Sequence, residues 1–174
     1  MKKKYSIAVA LALILVGMAV RLLPHPANFT PLAAIALFSG VYLPRRFALV
    51  VPLAVMVASD ALIGFHNLVL FTWGSFALIG VIGWWVQKHK HVTTVIGGAL
   101  AGSLLFYLVT NWAVMQFGTM YPHTISGLLG SYAAGIPFFR NMLLGDLFYT
   151  STFFGAYELA ERLGVRIGAR AEIR

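Results

Sequence analysis

Apolar residues run in long uninterrupted blocks along this chain, separated by short polar clusters rather than alternating with them. Six blocks stand out, at 5–22, 29–43, 47–65, 68–86, 92–117 and 137–163. A hydrocarbon core about 30 Å thick is crossed by about 20 apolar helical residues. The second block is short and the sixth long, but the pattern predicts an all-α integral membrane bundle of six transmembrane helices. Residues 1–174 then form a single transmembrane domain, and no internal repeat divides them. The glycine-rich stretch 118–135 reads as an outer loop, serving either as a lid over a pocket or as a linker with an interfacial helix.

Composition agrees with the pattern. Of 174 residues, 60% are apolar and 10% charged, with mean hydropathy +0.84. Soluble domains carry about a quarter charged residues. A chain this short has no core able to hide that apolar excess, which excludes a soluble enzyme. Disorder is excluded by the same hydrophobicity. The net charge of +8 would suggest nucleic acid in a soluble protein, so its placement matters. Lys2, Lys3, Lys4, Arg45, Arg46, Lys88, Lys90, Arg162, Arg166, Arg170 and Arg174 all fall at alternate block ends. Basic residues are retained on the cytoplasmic side. Both termini are therefore expected in the cytoplasm of a multi-pass bacterial inner-membrane protein. The charge marks topology, and no nucleic-acid partner is expected. A lysine-rich start before an apolar run also describes a signal peptide, but the run is long and Arg21 interrupts the cleavage region. Cysteine is absent, so no disulfide or thiolate site exists.

Polar groups inside a bilayer are costly and call for a partner or a purpose. With this topology they collect at the outer end: Arg21, Asn28, Asp60, Asn111, Arg140, Asn141 and Asp146, with Trp73 and Trp112 at similar depth. These nine are the expected substrate-binding residues. Pairing alone also accounts for the charged ones, through Arg21–Asp60 or Arg140–Asp146, although a six-residue spacing suits a same-helix pair poorly. Tryptophan and tyrosine gather at membrane interfaces whether or not they bind anything, and Trp84 and Trp85 read as a plain inner belt. Pro137 suits a first helical turn, which would turn the positive end of the sixth helix dipole toward the outside with Arg140 beside it. An arginine there would hold a carboxylate or phosphate through two parallel hydrogen bonds. His66 and His123 read as solvated loop residues. No phosphate loop, zinc-ligand spacing or nucleophile elbow is present, so neither an enzyme, a cofactor nor a metal site is expected. Small-x-x-x-small pairs at Ala8/Ala12, Ala36/Gly40 and Gly98/Gly102 permit close helix contact.

The run from Pro26 to Gly40, the pair Ser59-Asp60, and Ile136-Pro137-Phe138-Phe139-Arg140-Asn141 through Gly145-Asp146 together resemble the signature of an uncharacterised bacterial membrane family, over most of the chain. More broadly the chain resembles the substrate-binding S components of energy-coupling-factor vitamin transporters. That resemblance implies six helices, cytoplasmic termini and an outward-opening site under the outer loops. It also implies that Ala8 and Ala12 match the Ala-x-x-x-Ala motif that docks a coupling transmembrane subunit working with ATPases. A cobalamin-transporting branch binds cobalt through a cysteine, which this chain lacks.

The expected function is uptake of a small molecule, a vitamin or related micronutrient, bound from the outer side of the bilayer. A scaffold of the cell envelope without a ligand is the alternative, and an intramembrane enzyme a lesser one. The scaffold predicts Asp60, Arg140 and Asp146 tightly paired, with no room between helices for a ligand.

Overall fold

The computed structural model describes residues 3–163; the basic residues Lys2, Arg166, Arg170 and Arg174 lie outside the described residues. Six helices follow one another: α1 (Lys3–Leu22), α2 (Leu32–Tyr42), α3 (Arg45–Ile63), α4 (Val69–Lys88), α5 (Val92–Phe117) and α6 (Ile125–Arg162). Among the described residues there is no strand. Three of them, α3, α4 and α5, are long and apolar enough to cross a membrane.

Helix α2 is the centre of the molecule. Residues Leu32 through Val41 are all buried, as expected of a helix that is apolar on every side. It is short because proline frames it. Pro31 occupies its N-cap, and Pro44 follows its last turn and opens α3. Upstream, a turn closes with the Phe29 N–H donating to the Pro26 carbonyl at 2.9 Å, and Asn28 holds φ at 62°. Asparagine tolerates that left-handed conformation better than most residues. The expected block 29–43 thus loses its first three residues to a turn.

Glycines set the helix spacing. Gly83 sits so close to α2 that an added Cβ would stand 2.8 Å from the Gly40 Cα. Gly98 faces Val86 and Gly102 faces Ile79, bringing α4 against α5. Two of the three small-residue pairs therefore do what close packing requires. Helices α5 and α6 run antiparallel in firm register: the Tyr107 hydroxyl donates to the Tyr132 carbonyl (2.7 Å), the Tyr132 hydroxyl to the Leu108 carbonyl (3.0 Å), and the Ser131 hydroxyl to the Asn111 carbonyl (2.8 Å).

The sixth helix departs from expectation. It begins at Ile125 rather than Pro137, capped by the Thr124 hydroxyl, which accepts from the Gly127 N–H at 3.1 Å. The threonine cap satisfies one of the orphan N–H groups of the first turn. The connection from α5 is then only the residues 118–124, so the expected lid over 118–135 does not exist as a loop. Pro137 lies inside α6. The dipole argument for Arg140 is overturned with it, since the positive end of α6 lies 15 residues upstream, at Ile125.

Candidate functional site

Three side chains from three helices meet on one side of the bundle. Arg21, in the last turn of α1, places Nη2 2.7 Å from Asp60 Oδ1. Trp73 Nε1 donates to the other oxygen, Asp60 Oδ2, at 2.8 Å. Nη1 of Arg21 turns to the Met56 sulfur. Asp60 is 1% exposed and the Arg21 side chain 15%. The carboxylate is thus fully engaged, while the guanidinium has one edge fixed by a charge and the other resting on a weak acceptor.

That second edge borders a cavity of about 360 Å³, within the range of about 300–1,000 Å³ typical of small-molecule sites. Arg21, Asn28, Thr30, Thr72, His25 and His66 supply its polar wall. Leu32, Met56, Ile63, Phe76, Phe106 and Met142 supply the apolar one. Thr30 and Leu32 flank the N-terminus of α2, where Pro31 provides no side-chain cap and the first turn is buried. Helix N-termini leave backbone N–H groups unpaired and carry positive partial charge. Both histidines spend one ring nitrogen on backbone: His25 Nδ1 lies 2.7 Å from the Leu23 carbonyl oxygen, and His66 Nδ1 accepts from the Leu68 N–H at 3.2 Å.

The residues expected from sequence separate into two groups. Arg21 and Asn28 line the cavity, and Asp60 and Trp73 stand directly behind Arg21. The other five lie elsewhere. Asp146 is buried between α5 and α6, accepting from the Ser103 hydroxyl at 2.6 Å. Asn111 bonds the Tyr107 carbonyl one turn back at 2.8 Å and packs against Gly135. Trp112 is 40% exposed and stacks edge-on with Phe71 and Phe117. Asn141 reaches across to the Ala27 carbonyl at 3.1 Å, tying the first loop to α6. Arg140 is exposed, and among the described residues it makes no ion pair. The Arg140–Asp146 pair does not form. We expect Arg140→Ala to leave ligand retention and the unfolding midpoint unchanged, within about 0.5 kcal/mol, when the two are compared in the same detergent.

Sequence reasoning missed the apolar wall, because Phe76, Phe106 and Met142 are indistinguishable from ordinary core in an apolar chain. The available signal was the shortness of the second block. A helix that stops early leaves a space above its end, and residues on its neighbours at that level must line it. Ala8 and Ala12 lie on an exposed face of α1, beside Leu11 and Leu15, while Ala10, Leu13 and Gly17 face the bundle.

Fold and site together define an all-helical protein carrying three helices able to cross a membrane and a polar-walled cavity above a short central helix. The chain belongs to the family described as "Family of unknown function (DUF6580)", whose model matches residues 1–166. No curated protein matches it, and no solved structure does.

Proposed function

We propose that this chain is a multi-pass protein of the bacterial inner membrane that binds a small molecule from the outer side for uptake. The cavity above the uncapped start of α2, with the half-free guanidinium of Arg21 on its wall, carries the reading. On this reading all six helices belong to the membrane and both termini are cytoplasmic. Non-helical backbone at membrane depth is tolerated where it lines a cavity, as Asn28 and Thr30 do. The Arg21 edge and the α2 terminus both favour a ligand with an acidic or carbonyl edge, while Phe76 and Phe106 suit an apolar or aromatic body. A vitamin or related micronutrient has that character. The resemblance to S components adds a coupling transmembrane subunit and ATPases as partners, docking on the exposed Ala8/Ala12 face of α1. No enzymatic step is assigned.

One observation favours the scaffold as a second reading. Asp60 is bonded on both oxygens by Arg21 and Trp73, and Asp146 is held by Ser103, as a structural role requires, whereas among the described residues Arg140 lacks the partner that reading calls for. The cavity is what the scaffold does not need.

Thermal unfolding of the purified full chain against a panel of vitamins separates the two. A ligand at a hundredfold excess over its Kd adds about 2.7 kcal/mol, a rise of about 5–10 °C for a chain of this size. Thr30→Trp, a part-exposed position on the cavity wall, should abolish the rise without lowering the unliganded midpoint. Absence of any shift across the panel would leave the scaffold reading standing.

A further inference from the structure

A second cavity, of about 570 Å³, opens at the opposite end of the bundle, where α5 and α6 part around the last turn of α2. Its walls are Val92, Val95 and Ile96 from α5 and Phe154 and Gly155 from α6, with Val41 and Tyr42 beneath. Val92 and Ile96 are exposed, so the groove is open along the outer surface of the bundle. At its end stand Lys90, His91 and Arg162. Lys90 Nζ lies 4.5 Å from the centre of the Tyr42 ring. The one acid in the lining, Glu158, accepts the Tyr42 hydroxyl at 3.3 Å. Among the described residues neither Lys90 nor Arg162 has a carboxylate within ion-pair distance, so two cations and one acid, Glu158, stand at the open end of the slot.

Thr150 adds an independent sign of a ligand. It lines the groove and is 4% exposed, and its hydroxyl is buried with no hydrogen-bond partner. Two residues on, Thr152 satisfies its hydroxyl on the Phe148 carbonyl at 2.8 Å, the usual resort of a threonine in an apolar helix. A buried hydroxyl left unpaired is costly, and an ester oxygen of an occupying lipid would pair it.

We propose that this groove binds one anionic phospholipid, its acyl chain between α5 and α6 and its phosphate between Lys90 and Arg162. The shape alone would admit any apolar chain; the cations select the phosphate-bearing, net-negative lipid. Each basic side chain near a membrane surface attracts anionic lipid. The site is independent of the outer cavity and requires only that the chain reside in a membrane.

Native mass spectrometry of the full chain, released from detergent with phosphatidylglycerol or phosphatidylcholine added, tests it. Phosphatidylglycerol should be retained at least about fivefold better than phosphatidylcholine. Lys90→Gln and Arg162→Gln together should erase that preference. Gly155→Leu should abolish retention of both lipids at the site, because a Cβ at Gly155 meets nothing within 4 Å and the larger side chain grows into the groove; its unfolding midpoint should match the parent. Equal retention of the two lipids overturns the proposal. So does undiminished retention in Gly155→Leu, or displacement of the lipid by soluble glycerol phosphate at equal concentration, which would mark a headgroup site without a chain.

Discussion

Asp60→Ala is expected to destabilise the protein by about 3–5 kcal/mol, more than removal of either of its partners. The carboxylate holds Arg21 at 2.7 Å and the Trp73 indole N–H at 2.8 Å. Deleting it leaves a guanidinium that is 15% exposed without its counter-charge, and an indole donor without an acceptor. Arg21 is left with the weak Met56 acceptor and the cavity edge, and Trp73 with no acceptor. Trp73→Phe removes only one hydrogen bond to a charged acceptor, worth about 1.5–3 kcal/mol. Removing both ions in Arg21→Ala/Asp60→Ala should recover a substantial part of the loss, because an uncompensated buried charge is costlier than no charge. Denaturant titration in mixed micelles measures all three. If Asp60→Ala loses no more than about 1 kcal/mol, then water reaches the site and Arg21 is not constrained.

The same arrangement bears on binding. A guanidinium fixed on one edge by Asp60 presents its other edge in a single orientation, so a ligand pays little to order it. Asp60 is thus a positioning residue for Arg21 and touches nothing else in the cavity. Asp60→Asn separates the roles: the amide oxygen still accepts from one partner, so the fold should suffer less than in Asp60→Ala, while Arg21 loses its fixed orientation. The thermal shift given by a ligand should then fall by more than the unliganded midpoint does.

Residue type and spacing carried the skeleton of this molecule well. Helix ends at Leu22 and Phe117 stand where the apolar blocks end, and α3, α4 and α5 agree with theirs to within two residues at each end. Those boundaries were legible because prolines, paired arginines and the polar cluster His89–His91 interrupt apolar runs that otherwise continue. Arg21 and Asp60 were legible as partners because so few charges exist that each has few places to go. The failures share a cause. The start of α6 was misplaced because 118–135 is rich in glycine and serine, which read as loop, whereas packing of Ser131 and Gly135 against Asn111 makes those small residues an asset to a helix. Tertiary contact overrode local propensity there. Arg140 was misjudged in consequence: its proposed role depended on a helix terminus that lies elsewhere. Asp146 turns toward Ser103 of α5, a direction set by the rotation of α6, which composition does not encode.

Gly80→Ala should be among the most damaging single-methyl additions between the helices. A Cβ there would overlap the carbonyl oxygen of Ala48 and stand 3.0 Å from its carbonyl carbon. Those are backbone atoms of α3, so no rotamer change relieves the contact and the helices must move apart. Overpacking of this kind costs about 1–3 kcal/mol, and contact with backbone places Gly80→Ala at the upper end. Gly74 on the same helix supplies the control, since a Cβ there meets nothing within 4 Å. Gly74→Ala should be neutral or gain about 0.5–1 kcal/mol from reduced backbone freedom in the unfolded chain. The contrast isolates packing from helix propensity, which favours alanine equally at both positions. It also reaches the cavity. Helix α4 carries Thr72, Trp73 and Phe76, so displacing it from α3 pulls Trp73 from Asp60 and widens the outer site. Gly80→Ala should therefore lose ligand-induced stabilisation along with its own stability, while Gly74→Ala keeps both. Equal midpoints for the two variants would show that α3 and α4 approach less closely than this fold requires.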